Sequence, residues 1–319
     1  MKITLKDRVF FGNNITAIKR SEDCTVYKMK DDAGEGTMTC YSVFPGIDLM
    51  YNDFHMQSCL SELRPKVEML GIDHCREGRI EWEFPNGSYM YLEEGDLQIN
   101  ARDHHAIGFG FPLGHYHGIT VAVYVAEAVK TLSTVLGGFS VDLQALHEKF
   151  CTGGRPFIMR AAESIKHIFS ELYTVPDSIR NNYFKIKVLE LLLFLSAADF
   201  RINSEDRPYF PKKQVETVKA IMKYMTDHLE KHFTLEELSS EFEIPLTAMK
   251  NCFKGIYGTS VYAYMRTRRI QTSAVMMRET SENIITIAGK VGYSNPSKFA
   301  AAFKEIVGMP PAQYKRNYV

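Results

Sequence analysis

The sequence predicts an α+β chain, and three observations carry the prediction. Short β-prone runs broken by Gly, Pro and Asp fill residues 1 to about 125. Apolar residues at helical spacing take over from about residue 126. Beyond Lys212 the pattern is helical to the end and contains two hairpins marked by caps and breakers. A chain of 319 residues suits two domains, or three. We expect a β-rich domain over 1–125, its helical part over 126–200, a linker over 201–213 and an all-helical domain over 214–319.

In the first part, strands are expected over 25–29, 38–44, 47–51, 67–73 and 79–84. Pro85-Asn86-Gly87 supplies a hairpin turn into a strand over 88–92. Glu93-Glu94-Gly95-Asp96 turns into another over 97–100, and 119–125 is a final β-branched run. Many short strands at close spacing point to a small sandwich or barrel. The phrase Leu92-Glu93-Glu94-Gly95-Asp96-Leu97 resembles a turn of cupin-type barrels, so a cupin-like barrel is the expected form.

Helices follow over 143–150, 157–172 and 178–198. In the last, Ile186, Leu189, Leu193 and Ser196 mark one face, widened by Leu192 and Leu195. A helix this apolar is buried by its own domain or by a second subunit. The stretch 200–213, with two prolines among polar residues, reads as the linker.

The C-terminal part is the most legible. Val215, Val218, Met222, Met225 and Leu229 form one stripe, and Thr234-Leu235-Glu236-Glu237 is a capping box. Leu235, Leu238 and Phe242 mark the buried side of the next helix, Pro245 breaks it, and Leu246, Met249 and Phe253 start another. A long helix should run from Ser260 to about Arg278. Then Asn283 caps a helix with Ile284, Ile287, Ala288 and Val291 on one face. Gly292 ends it, Ser294 is the expected cap of the following helix, and Pro296 falls in that helix's first turn. Phe299 and Phe303 form its buried side. Each hairpin is a helix-turn-helix with a polar, cationic second helix.

Any helical hairpin has an apolar seam, so periodicity alone leaves DNA binding open. The run Ile287-Ala288, Val291-Gly292-Tyr293-Ser294, Ser297, Phe299, Phe303-Lys304, Gly308 and Pro311 resembles the signature of the AraC/XylS family of transcription regulators. The resemblance covers about 215–315. It implies a sequence-specific regulator, an activator contacting RNA polymerase at promoter DNA. It further implies a cupin-like sensor domain for a small-molecule effector and dimerisation through the greasy helix, hence a homodimer. Pro245-Leu246-Thr247 is similar to the turn of a branch that includes siderophore-responsive members, which makes a siderophore the implied effector class. The sequence departs from the family pattern at Glu243 and Pro245, which replace Gly and Ser, at Ser239 and Ser273, which replace Ala, and at Lys315, which replaces Arg.

Base readout needs donors and acceptors on the groove-facing side. In the first unit these are Thr247, Lys250, Asn251 and Lys254, which match the family's reading positions. In the second they are Asn295, Ser297, Lys298, Ala301 and Lys304. Asn pairs with adenine, lysines take guanine or phosphate, and Ala301 offers only a methyl group to thymine. Each lysine also has the plain reading of a solvated surface charge.

Charge distribution agrees with this. Of 38 Lys/Arg and 38 Asp/Glu, 16 and 10 lie from Lys212 onward, which leaves 22 and 28 before it. The net is +6 in the last third and −6 in the rest, so a neutral total hides a basic domain joined to an acidic one. No apolar run reaches the ~20 residues of a membrane span, and no export is expected, since the first residues show neither an apolar h-region nor a cleavage site. The six cysteines, at 24, 40, 59, 75, 151 and 252, lack zinc-finger spacing and read as reduced thiols of a cytoplasmic protein.

No cofactor, no metal and no enzymatic activity are expected. His115 and His117 share a strand face with His104-His105 nearby, but Val121 and Ala122 stand where a cupin metal site needs a glutamate. Phe44, Met50, Tyr51, Phe54 and Met56 fit core packing better than a pocket, and no ligand-binding residue is assigned. The competing reading is a metal-dependent cupin enzyme, or a DNA-repair methyltransferase, fused to the DNA-binding module. The repair enzyme needs clustered zinc cysteines, and no nucleophile elbow or phosphate-cradling loop appears. A non-specific architectural protein would not need two complete reading helices.

Overall fold

The computed structural model describes residues 15–59, 67–102, 108–135, 137, 141–151, 156–160, 163–197 and 208–318. The chain divides into two compact units, Met1–Tyr209 and Phe210–Val319. The expected linker falls mostly outside the described residues, and its last two positions, Lys212 and Lys213, belong to a helix.

In the first unit the strands are β1 (Ile15–Arg20), β2 (Cys24–Asp31), β3 (Gly34–Phe44), β4 (Ile47–Met56), β5 (Ser58–Cys59), β6 (Met69–Glu83), β7 (Ser88–Glu93), β8 (Asp96–Asn100), β9 (Gly108–Gly110), β10 (Tyr116–Tyr124) and β11 (Phe157–Arg160). Helices α1 (Val125–Val135), α2 (Leu143–Cys151), α3 (Glu163–Leu172) and α4 (Arg180–Ala197) complete it. All the strand pairings are antiparallel, and the order β1-β2-β3-β4-β10-β6-β7 is branched at β6 by β8 and β9. Among the described residues the pairings form an antiparallel sheet, and none of them joins its far end back to β1.

Strand β6 joins the two halves of the sheet. Its first part pairs with β10 and β8, its second with β7 and β9. The sequence expected two strands here; one continuous strand forms, with a bulge at Arg76 where the β10 register slips by one. A second correction concerns 157–172, expected as one helix. Phe157–Arg160 is instead a strand on β8, because the apolar Phe157, Ile158 and Met159 complete a ladder there.

Both sheet faces are covered. On one, Ile47 and Leu49 of β4, Leu70 and Ile72 of β6 and Ile119, Val121 and Val123 of β10 meet the helices. On the other, Met38, Phe54, Met56, Cys75, Trp82 and Tyr116 form a second core. A polar stripe crosses this second face. Asp73 accepts from Thr120 Oγ1 at 2.7 Å and from Arg102 Nη2 at 2.6 Å, and Asn52 donates to Thr120 at 2.9 Å. Gln98 beside it is fully buried, and neither its Oε1 nor its Nε2 has a hydrogen-bond partner.

The face of α4 also differs from expectation. Phe184, Val188, Leu191, Leu192 and Leu195 go inward, whereas Ile186 is 60% and Leu193 43% exposed. Lys187 is buried on the inward side because Glu171 and Glu190 hold its ammonium at 2.5 and 2.8 Å.

The second unit is α5 (Lys212–Asp227), α6 (Leu235–Glu241), α7 (Leu246–Tyr257), α8 (Val261–Glu279), α9 (Ile284–Lys290), α10 (Pro296–Val307) and α11 (Pro311–Tyr318). Helix α8 contacts α5, α7, α9, α10 and α11. Its Ile270, Ala274 and Met277 form one core with Ile287, Val291, Phe299, Phe303 and Tyr314.

One pH dependence follows from the first unit. The His74 ring stacks on Phe169 with centroids 4.2 Å apart. Burial pushes this imidazole from 6.5 down to about 4, so the folded state holds it neutral. The contribution is complete above the unfolded value and is lost as pH falls through this window, up to about 3 kcal/mol in all. Urea denaturation between about pH 7.5 and 4 should show this slope, and His74→Phe should flatten it. An unchanged slope in that variant would exclude His74 as the cause.

Candidate nucleic-acid interface

The two hairpins are built by local chemistry. In the first, the Thr234 side chain accepts from Glu237 N at 3.1 Å while the Glu237 carboxylate accepts from Thr234 N at 2.8 Å, the reciprocal capping box. In the second, Asn283 Oδ1 accepts from Thr286 N at 2.8 Å. Helix α10 is capped by Asn295, not by the expected Ser294. Asn295 Oδ1 accepts from Ser297 N at 2.9 Å and Lys298 N at 3.1 Å. Pro296 explains the choice: it occupies the first helical position, so the residue before it must be the extended cap.

The turns differ in strain. Gly292 follows α9 at φ 83°, and a Cβ there would lie 2.7 Å from Leu229 O, so neither backbone nor space admits a side chain. The equivalent position after α6 is Glu243, held at φ 49°. The Ser239 hydroxyl donates to Ile244 O at 2.6 Å and braces this turn, which gives the serine a task that the family's alanine cannot perform. Ser273 is buried and donates to Ile270 O at 2.7 Å within α8.

All nine expected reading residues are exposed. Thr247, Lys250, Asn251 and Lys254 lie at i, i+3, i+4 and i+7 of α7, on one face, while Met249, Cys252, Phe253 and Ile256 are buried on the other. On α10, Ser297, Lys298, Ala301 and Lys304 face out over buried Phe299, Ala302 and Phe303, and Asn295 sits at the cap. Because Asn295 Oδ1 is committed to the cap, only its Nδ2 remains to face a base. Among the described residues none of Lys250, Lys254, Lys298 and Lys304 is in an ion pair. Glu305, the nearest acid in sequence to Lys304, is held instead by Arg266 at 2.5 and 2.8 Å.

The hairpins are fastened to each other as well as to α8. Arg269 of α8 donates through Nε to Leu229 O at 3.0 Å and through Nη2 to Lys231 O at 2.5 Å. His232 Nε2 meets Gly292 O at 2.7 Å. Between them lies a cleft of about 580 Å³ lined by Tyr262, Arg266, Arg269, Tyr293 and Lys298, among others. The arginines of α8 stand outside both hairpins and so outside the expected reading residues, although Arg266, Arg268 and Arg269 form a cationic run visible in the sequence.

A family model for a helix-turn-helix domain matches residues 238–317. The C-terminal domain is of the AraC/XylS type. Over 104 residues it is 27% identical to the right origin-binding protein of Escherichia coli strain K12, covering 33% of this chain and 36% of that protein. The match thus spans about a third of that relative's length. A longer alignment, 26% identical over 203 residues, covers 62% of this chain and 67% of the uncharacterized HTH-type transcriptional regulator YdiP of the same strain. Among solved structures, the C-terminal domain of AraT, a response regulator from Geobacillus stearothermophilus, is 26% identical, covering 32% of this chain and 84% of that chain, with a TM-score of 0.31. The relatives of this AraC/XylS-type domain are regulators, not enzymes.

The turn of the first hairpin can be tested directly. A non-glycine residue in the left-handed region costs about 1–2 kcal/mol, offset in part by the flexibility glycine brings to the unfolded chain. Glu243→Gly should therefore stabilise the C-terminal unit by about 0.5–1 kcal/mol in thermal denaturation. A destabilised variant would mean that the Glu243 side chain does something the backbone angle does not reveal.

Proposed function

We propose that the chain is a sequence-specific DNA-binding transcription regulator, an activator that recruits RNA polymerase in response to a small-molecule effector. One observation carries the proposal. The two helices α7 and α10 are held by the same helix, α8, and each points a row of exposed, unpaired lysines and hydrogen-bonding side chains outward. Helix α8 has 19 residues, about 28 Å at 1.5 Å each, close to the ~34 Å period of the B-DNA groove. Thr247, Lys250, Asn251 and Lys254 read one major-groove segment. Asn295, Ser297, Lys298, Ala301 and Lys304 read the next, lysines chiefly on phosphate.

The N-terminal unit acts as a cupin-like sensor in a cytoplasmic protein. Buried Gln98, with both side-chain polar atoms unpartnered, and Trp82 Nε1, likewise buried without a partner, favour a small polar effector on the second sheet face. A siderophore as effector rests on the Pro245-Leu246-Thr247 turn alone. Homodimerisation is supported by the exposed Ile186 and Leu193 on α4, an apolar edge that solvent should not face. Gating requires the effector to bind one arrangement of the dimer more tightly than another.

Selection from random duplexes followed by footprinting tests the DNA reading. The recovered site should bind at least about 10³-fold more tightly than random DNA. Lys298→Ala and Lys250→Ala should each lower the salt dependence, the slope of log K against log salt, by about 1 if they sit on phosphate. Equal affinity for random and selected DNA would end the regulator reading.

The dimer has its own test. Ile186→Asp combined with Leu193→Asp should halve the mass measured by light scattering while leaving the fold intact, because both side chains are already exposed. A wild-type chain that runs as a monomer at tens of micromolar would remove α4 from the interface.

A further inference from the structure

We propose that Asp53, His55 and His117 form a binding site for a divalent transition cation, with Zn²⁺ the ion their chemistry fits best. The site belongs to the N-terminal unit and does not depend on the DNA-binding reading.

The sheet register assembles it. His117 of β10 pairs with Asp53 on β4 and with Glu77 on β6. His55 lies two residues beyond Asp53 and so on the same face. The bulge at Arg76 turns Glu77 to this side; without it Glu77 would point away. This is the helix-facing side of the sheet, past the point where Leu49 and Tyr51 meet the helices, and opposite Tyr116 and Phe54 in the second core.

The distances suit a metal centre. The Nε2 atoms of His55 and His117 each lie 3.0 Å from Asp53 Oδ1, and the three ligand atoms are within 4.8 Å of one another. Tetrahedral zinc with bonds of about 2.0–2.1 Å spaces its donors about 3.3 Å apart. His117 Nε2 is shielded from solvent and makes no hydrogen bond, despite the nearby carboxylate. Two donors that close but misaligned are not aimed at each other, as expected of lone pairs converging on a shared ion.

A supporting shell is present as well. Glu77 Oε2 stands 3.8 Å from His117 Nδ1, the far nitrogen of the same ring. A carboxylate behind an imidazole favours the tautomer that leaves Nε2 as ligand and makes it more basic. Glu35, paired with Lys28 at 2.9 Å, lies opposite His55 on β3 and adds negative charge beside it. Arg76, at 3.4 Å from Glu77, is the nearby cation that the ion must tolerate.

Donor type sets the metal. Two imidazoles and one carboxylate favour zinc, nickel or copper; magnesium and calcium need more oxygens. Asp53 and His55 are 53% and 62% exposed in their side chains, so a fourth position faces solvent and takes water or a small donor. His115 is not a ligand. Its Nδ1 is 3.2 Å from Leu113 O and its ring is 6.2 Å from that of His117.

The test uses the full chain after chelator treatment, titrated with Zn²⁺ by calorimetry and with Co²⁺ by visible absorption. One equivalent should bind, with the intense d–d bands of a tetrahedral site. His55→Ala, His117→Ala and Asp53→Asn should each weaken binding at least about tenfold, and Glu77→Gln by about tenfold through the ring it orients. His115→Ala should bind as the wild type does. His55 is exposed enough that its variant should fold even if the His117 variant does not. Absence of stoichiometric binding, or one equivalent that survives His55→Ala, overturns the site and points to the thiols or other histidines instead.

Discussion

Two helices can address one duplex together only if something fixes their separation. In this chain that constraint is the buried face of α8. Ile270, Ala274 and Met277 pack the second hairpin and its following helix into one core, while the earlier turns of α8 meet α7. Arg269 then ties the loop before the first hairpin to the same helix, and the Gly292 backbone fills the space left beside Leu229 O. Close packing of this kind permits discrete arrangements rather than continuous sliding. The spacing of the two cationic rows is therefore a property of the core, set without any contribution from the exposed residues.

This division explains why the C-terminal half was so legible. Capping boxes, N1 prolines and C-terminal glycines act over three or four residues, so Thr234, Asn283, Gly292 and Pro296 could be read as written. Asn295 rather than Ser294 caps α10, a distinction hidden in the sequence because two cap-competent residues stand side by side. Proline decides between them, since the residue before it is pushed out of the helical region. Glu243 is the opposite case. Its place after α6 marked a departure from the family's glycine, but no sequence pattern showed that the backbone would keep the glycine angle anyway. The helix packing over-determines that turn, and the strain is carried by a residue that nothing local would select.

The N-terminal half was legible in kind but not in assembly. β-prone runs and turn residues found β3, β4, β7 and β8, yet β5, β9 and β11 are two to four residues long and take their conformation from partners far away in sequence. Residues 157–160 have no turn signal to separate them from the helix that follows, and only the open edge of β8 makes them a strand. His104 and His105 lie outside the described residues. The buried face of α4 differs from the expected one for a related reason. Almost every turn of α4 carries a leucine or isoleucine, so periodicity gives several equivalent stripes, and the sheet beneath selects the one through Val188 and Leu192.

Register is the information that a single sequence withholds most completely. His115 and His117 look like a same-face pair because they alternate on one strand, and a search along that strand finds no third donor. The ladder places the missing donors sideways, at Asp53 and, two residues on, His55, far away in sequence but beside His117 in space. A one-residue shift of β4 would send Asp53 and His55 into the core and Phe54 and Met56 to the surface, at a cost of several buried side chains. The hydrophobic core therefore holds the three donors in place although none of them belongs to it. The helical domain follows the same logic, with Phe299 and Phe303 inside deciding where Lys298 and Lys304 point outside.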